Sequence, residues 1–203
     1  MAAGARRDNL STKLGLTLLL LALLGVLAGA GTWSAFSATT ENTGNAFDAG
    51  SVIISDDDAG SAMLSLTNAK PGDSDTSCIM VTYTGSLPAT VRLYGTTAGT
   101  GLDQYLDLTV TRGTKVSGFD SCADFVPDPT DYIGQGAGVI YVGTLQGYPD
   151  SYAGGIVDPT AGSPETWTNP ETHSYKFTVT VQDDGGAQGL NATQTFTWEA
   201  RNI

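Results

Sequence analysis

The sequence predicts an all-β fold: a two-sheet antiparallel sandwich, jelly-roll-like, with about eight strands. Three observations carry this. Apolar and polar residues alternate over many short runs. Clusters of Gly, Pro, Asp and Asn separate those runs. Charged residues make up only 15% of the chain, so Gly, Ser and Thr supply most of the polarity. That balance suits exposed strand faces and turns better than helices.

In chain order, the first element is not a strand. Arg6, Arg7 and Lys13 precede an uncharged, Leu-rich run that begins at Leu14, and no ionisable side chain follows until Glu41. A positive flank, an apolar stretch and then small residues form the order of a secretory signal segment. A retained membrane anchor is the alternative, and it needs about 20 apolar residues to cross a bilayer. The densest part, Leu14 to Leu27, is shorter, and Ala28-Gly29-Ala30-Gly31 breaks it. Residues 1–35 are therefore read as a leader for a secreted protein. Membrane contact is expected only through that leader while it is uncleaved.

The strands follow. Residues 46–54 form the first apolar run. Ala62, Leu64 and Leu66 share a face, as do Ile79, Val81 and Tyr83, then Val91 and Leu93. Leu106, Leu108 and Val110 alternate with Asp107, Thr109 and Thr111, and residues 139–145 form another run. Tyr175, Phe177, Val179 and Val181 give the clearest alternation, with Lys176, Thr178 and Thr180 opposite. Phe196, Trp198 and Ala200 close the series. One apolar face per strand requires a second sheet to cover it. Lys70-Pro71-Gly72-Asp73 is a turn by its chemistry, since Pro fixes φ and Gly accepts positive φ. Asp183-Asp184-Gly185-Gly186 separates the last two strands. Residues 113–138 and 147–172 read as long loops, with a weak helix signal at 149–154. The domain plan is thus a leader (1–35), an N-terminal strand (36–54) and a sandwich (55–203).

Charge narrows the partners. The net charge is -12, and removing the leader takes away three cations and one acid. Such a surface is repelled by nucleic acid, so no nucleic-acid partner is expected. Cys78 and Cys122 are an even pair in an exported chain and read as a disulfide. Free thiols or a metal site are the alternatives, but two sulfurs with one distant histidine make a poor zinc set.

Motifs for chemistry are scarce. The one histidine, His173, starts the best strand and reads as an exposed strand-edge residue. There is no His-Glu-x-x-His, no Gly-x-Ser-x-Gly and no phosphate loop. No catalytic, cofactor or metal residues are assigned, and no enzyme is expected. Asp56-Asp57-Asp58 and Asp183-Asp184 raise a calcium question, but neither shows the alternating ligand pattern of a dedicated loop, and both read as solvated turns. Tyr132, Tyr148, Tyr152 and Trp167 in the long loops could stack on sugars or anchor those loops to the core.

One junction is more specific. It runs Gly31-Thr32-Trp33-Ser34-Ala35-Phe36, then a Thr-rich stretch, then Phe47-Asp48-Ala49-Gly50. Further on come Leu64-Ser65-Leu66, Lys70-Pro71-Gly72-Asp73, Gly85-Ser86-Leu87 and Gln194-Thr195-Phe196-Thr197-Trp198-Glu199-Ala200. Together they resemble the TasA/CalY (camelysin) family of secreted biofilm-matrix fibre proteins. The likeness covers both ends and the first third, and it is weak from 113 to 165. It implies a dedicated SipW-type signal peptidase cutting between Ala35 and Phe36, a jelly roll, and self-association into fibres. In such fibres the mature N-terminus completes a sheet of the next subunit. The donor here would be residues 36–54, including Phe36, Phe47, Val52, Ile53 and Ile54. The alternatives are that this segment is the first strand of a monomer acting as an extracellular carbohydrate- or surface-binding module, or that the chain is a camelysin-like metalloprotease. One histidine and no zinc motif tell against the last.

A generic small-x-small site would cut after Ala30. N-terminal sequencing of the secreted protein separates the two: Phe36 first is expected, and Gly31 first would weaken the resemblance.

Overall fold

In this computed structural model, residues 50–203 are described, together with the isolated Gly15. The leader, the expected cut between Ala35 and Phe36, and Phe36 and Phe47 of the N-terminal segment lie outside the described residues.

The chain forms an antiparallel two-sheet sandwich. Its strands are β1 (Ile54–Asp56), β2 (Ser74–Tyr83), β3 (Ala89–Gly99), β4 (Leu106–Thr114), β5 (Val126–Pro127), β6 (Val139–Thr144), β7 (Ile156–Val157), β8 (Glu171–Val181) and β9 (Ala192–Asn202). The first sheet runs β1-β2-β8-β4-β5, with β6 also paired to β4; the second runs β7-β3-β9. β8 is central in the first sheet: Cys78 lies opposite Lys176 on one side, and Val110 opposite Phe177 on the other.

Alternation builds the core. Side chains along a strand point to opposite faces. Ile79, Val81 and Tyr83 of β2, Leu108 and Val110 of β4, and Tyr175 and Phe177 of β8 are buried inward. Val91 and Leu93 of β3 meet them from the second sheet. Phe177 packs on Phe196, with ring centroids 4.5 Å apart. Lys70–Asp73 is the expected turn: the Asp73 N–H donates to the Lys70 carbonyl at 3.0 Å, and Gly72 takes φ +83°.

Three expectations need correction. Residues 62–66 form no strand; Met63, Leu64 and Leu66 pack on the core without any ladder. Their alternation marks a half-buried segment, but no strand edge among the described residues pairs with it. Residues 149–154 form turns, not a helix. His173 is not at a strand edge: it stands on the sheet's central strand, opposite Val81.

Both long loops are tied down. Cys78 and Cys122 are disulfide-bonded. The Cys78 N–H also donates to the Asp120 carbonyl at 3.1 Å, so the 115–125 loop covers the outer face of the first sheet. Beneath it the Lys115 ammonium is buried and donates to the Cys78 and Gly118 carbonyls at 2.8 and 3.1 Å. The second loop lies along β3, where Asp158 N–H donates to the Val91 carbonyl and Trp167 N–H to the Ala89 carbonyl.

The two cysteines are 44 residues apart, and a cross-link closing a loop of that length stabilises by about 4 kcal/mol in the chain-entropy account. Replacing both with serine should lower the stability measured by chemical denaturation by roughly 2–4 kcal/mol. An unchanged midpoint would show that the 115–125 loop is held by its other contacts.

Candidate functional site

Two features stand out: an open side of the sandwich, and a charge cluster inside one end of it.

The open side follows from strand order. Among the described residues β9 pairs only with β3, so its other edge has no partner there along 11 residues. A free edge presents unpaired backbone N–H and C=O groups. Beside the start of β9 lies a largely apolar cleft of about 370 Å³. Leu106, Leu108, Val179 and Val181 line it from the first sheet, Phe196 from β9, and Met63, Leu64 and Leu66 from the unpaired 62–69 segment. A smaller gap continues along β9 between Ile54, Val81 and Trp198. The Trp198 indole N–H is buried and has no hydrogen-bond partner among the described residues, an arrangement that costs free energy until an acceptor arrives.

The N-terminal segment reaches this region from the other sheet. Ile54 pairs with Tyr83 of the same chain. Thr84 N–H donates to the Ile53 carbonyl, and Leu87 N–H to the Ser51 carbonyl. Val52 and Ile54 pack on the core, while Ile53 is 49% exposed. In the single chain, residues 54–56 thus cover the outer edge of β2 at Val81–Tyr83, and residues 51–53 run along the 84–87 turn.

The charge cluster is the continuation of the core stripe. Period-two alternation carries β4 from Val110 to Arg112, and β8 from Tyr175 to His173 and Glu171. Arg112 is buried. Its guanidinium meets Asp128 at 2.6 Å, Asp158 at 3.1 Å, and Glu165. Asp158 is fully buried and accepts from the Trp167 indole at 3.0 Å. Burial raises the Asp158 carboxyl above the usual range, although Arg112 and His173 oppose this. Burial alone would lower Arg112, but Asp158 and the other anionic neighbours hold it well above its ordinary value.

The acidic runs behave as turns. Asp58 Oδ1 accepts from Gly60 N–H at 2.6 Å, and Asp184 Oδ1 from Gly186 N–H at 2.8 Å. Asp57 turns inward instead, accepting from Met80 N–H and lying 3.5 Å from the Lys115 ammonium. Of the loop aromatics, Trp167 and Tyr148 are buried in the core and unavailable for stacking on a sugar. Tyr152 lies under the Arg201 guanidinium, 3.6 Å from its ring centroid. Arg112 was not singled out by sequence, yet extending the Leu106–Val110 stripe by two residues would have found it.

Removing one partner of a buried ion pair leaves the other charged and unpaired, at a cost of about 3–5 kcal/mol. Arg112→Ala should lose that much at pH 7. An acid whose folded pKa lies above its unfolded value binds more protons when folded, so its contribution to stability falls as pH rises through that window. Without Arg112 the Asp158 carboxyl moves higher still, and the loss at pH 5 should be smaller than at pH 7 by denaturant titration. Equal losses at both would mean the cluster acts by packing alone. No protein-family model and no curated protein sequence matches the chain.

Proposed function

We propose that the chain is a secreted structural subunit of extracellular-matrix or cell-surface fibres, and that it assembles by donation of its N-terminal segment to the next subunit. The observation that carries this reading is the open side of the sandwich. The outer edge of β9, unpartnered among the described residues, and the irregular 62–69 segment flank the same apolar cleft. A strand entering between them would gain backbone hydrogen bonds along β9 and bury apolar side chains in the cleft. It would also bring an acceptor near the orphaned Trp198 indole.

Dimensions agree. Eleven residues of edge span about 36 Å at ~3.3 Å per residue. Residues 36–49, fully extended, reach about 46 Å at the same rise. Phe36 and Phe47 are the bulky apolar residues of that stretch. Because residues 51–56 are bound to the chain's own 81–87 segment, the part proposed for donation is 36–49 of the 36–54 expected. A segment rooted in one subunit and seated in the next makes a head-to-tail contact that does not close, which propagates as a filament. The junction likeness to the TasA/CalY family supports the same reading.

The test uses a chain beginning at Phe36 and one beginning at Gly50. Electron microscopy and size exclusion should find filaments from the first and a folded monomer from the second. Leu64→Arg in the longer chain should keep the circular dichroism of the parent and lose filaments, since it charges the acceptor cleft. Monomers from the unmodified longer chain at high concentration would overturn the proposal, and so would filaments from the chain beginning at Gly50.

A further inference from the structure

We infer that Glu165, Glu171 and His173 form a site for a divalent transition-metal ion such as Zn²⁺, which would clamp the 158–170 loop to β8. This is independent of fibre assembly and lies at the charged end of the core.

The donor spacing is that of ligands around one ion. One donor atom from each residue lies within 4.8 Å of the others. The His173 Nε2 is 3.0 Å from Glu171 Oε1 and 3.7 Å from Glu165 Oε2. Two ligands about 2.1 Å from a tetrahedral ion lie roughly 3.4 Å apart. Among the described residues this is the only group of three or more such side chains close enough together.

Hydrogen-bond accounting points the same way. The His173 Nε2 faces the Arg112 guanidinium at 2.8 Å, which only donates, and the Glu171 carboxylate at 3.0 Å, which when ionised only accepts. A single ring nitrogen carries either a proton or a lone pair. It therefore satisfies one of these neighbours and opposes the other. A metal ion resolves the conflict by taking the Nε2 lone pair and a Glu171 oxygen together.

Charge accounting agrees. Asp128, Asp158, Glu165 and Glu171 surround one guanidinium and one imidazole. With the imidazole neutral, anions exceed cations, and a divalent ion offsets much of the excess. Arg112 is the group that opposes a cation here. On ion entry it gives up its contacts with His173 and with Glu165 Oε2, both made by the same guanidinium nitrogen, and keeps its pairs with Asp128 and Asp158.

The site is held in place yet reachable. His173 and Glu171 are two residues apart on one strand and so share a face. The His173 ring packs edge-on against Trp167, centroids 4.7 Å apart. The second Glu171 oxygen accepts from Thr168 N–H at 2.7 Å. The Glu165 side chain is 38% exposed, against 15% for His173 and 17% for Glu171, so Glu165 forms the entrance. Two carboxylates and one imidazole suit Zn²⁺ or Mn²⁺ better than a soft ion such as Cu(I).

The test is titration calorimetry of the metal-free purified chain with Zn²⁺. One ion per chain is expected, and Co²⁺ substitution should give visible d–d absorption from a nitrogen- and oxygen-ligated ion. His173→Ala and Glu171→Gln should each weaken Zn²⁺ binding by about tenfold or more. Glu199→Gln, at an exposed pair with Arg201, should leave it unchanged. Glu171→Gln retains an oxygen for Thr168 N–H, so it reports on binding if His173→Ala does not fold. The inference fails if the parent shows no saturable binding, or if the folded variants bind Zn²⁺ as the parent does.

Discussion

The structure depends on the inward stripe of β8. Its side chains run Val181, Val179, Phe177, Tyr175, His173 and Glu171 at every second position. β8 is bonded to β2 on one side and β4 on the other. A shift of one residue would turn this whole stripe to the opposite face, so the register of three strands is fixed together. The stripe also changes character along its length. It is apolar at the Val181 end and polar at the Glu171 end, and the two features of the molecule sit at those two ends.

At the Val181 end, the inward residues of β4 and β8 extend beyond what the narrower, three-stranded second sheet covers. β7 is two residues long, and β9 has a single partner among the described residues. Leu106, Leu108, Val179 and Val181 are covered instead by the irregular 62–69 segment, which leaves the cleft beside it. An edge next to exposed apolar area is an aggregation hazard that monomeric proteins blunt with charge, proline or bulges. Of the β9 residues, Ala192 to Trp198 carry no charge, and the charges Glu199 and Arg201 cluster towards the far end. The uncharged half of the edge is the half beside the cleft, an arrangement suited to accepting a strand.

The fold class was legible because alternation is a direct consequence of one buried face per strand. The strands of Tyr175–Val181, Leu106–Val110 and Phe196–Ala200 appear where alternation places them. The disulfide was legible from cysteine number and context. The same rule failed at 62–66, because alternation reports half-burial and not pairing. It was applied too briefly at Arg112 and His173, where a change from apolar to charged residues was taken for the end of the buried face. The partners Asp128, Asp158 and Glu165 come from loops distant in sequence. The β4–β5 pairing brings Asp128 in, its N–H donating to the Arg112 carbonyl, and the docking of the second loop along β3 brings in Asp158 and Glu165.

That docking explains why a charged cluster can close one end of the core. Arg112 cannot leave the interior without breaking the β4 register, since it stands opposite Tyr175 in the ladder. A buried guanidinium is tolerated only with several anionic acceptors; the loop supplies Asp158 and Glu165 while its backbone pairs with β3, and the residue after β5 supplies Asp128. The acceptors then exceed what one cation needs. The surplus sits at Glu165 and Glu171, the two carboxylates nearest His173 and farthest from full burial. An anion-rich end opposite an open, apolar end divides the domain: at one, Arg112 ties β4 to two loops, and at the other the outer edge of β9 has no partner among the described residues.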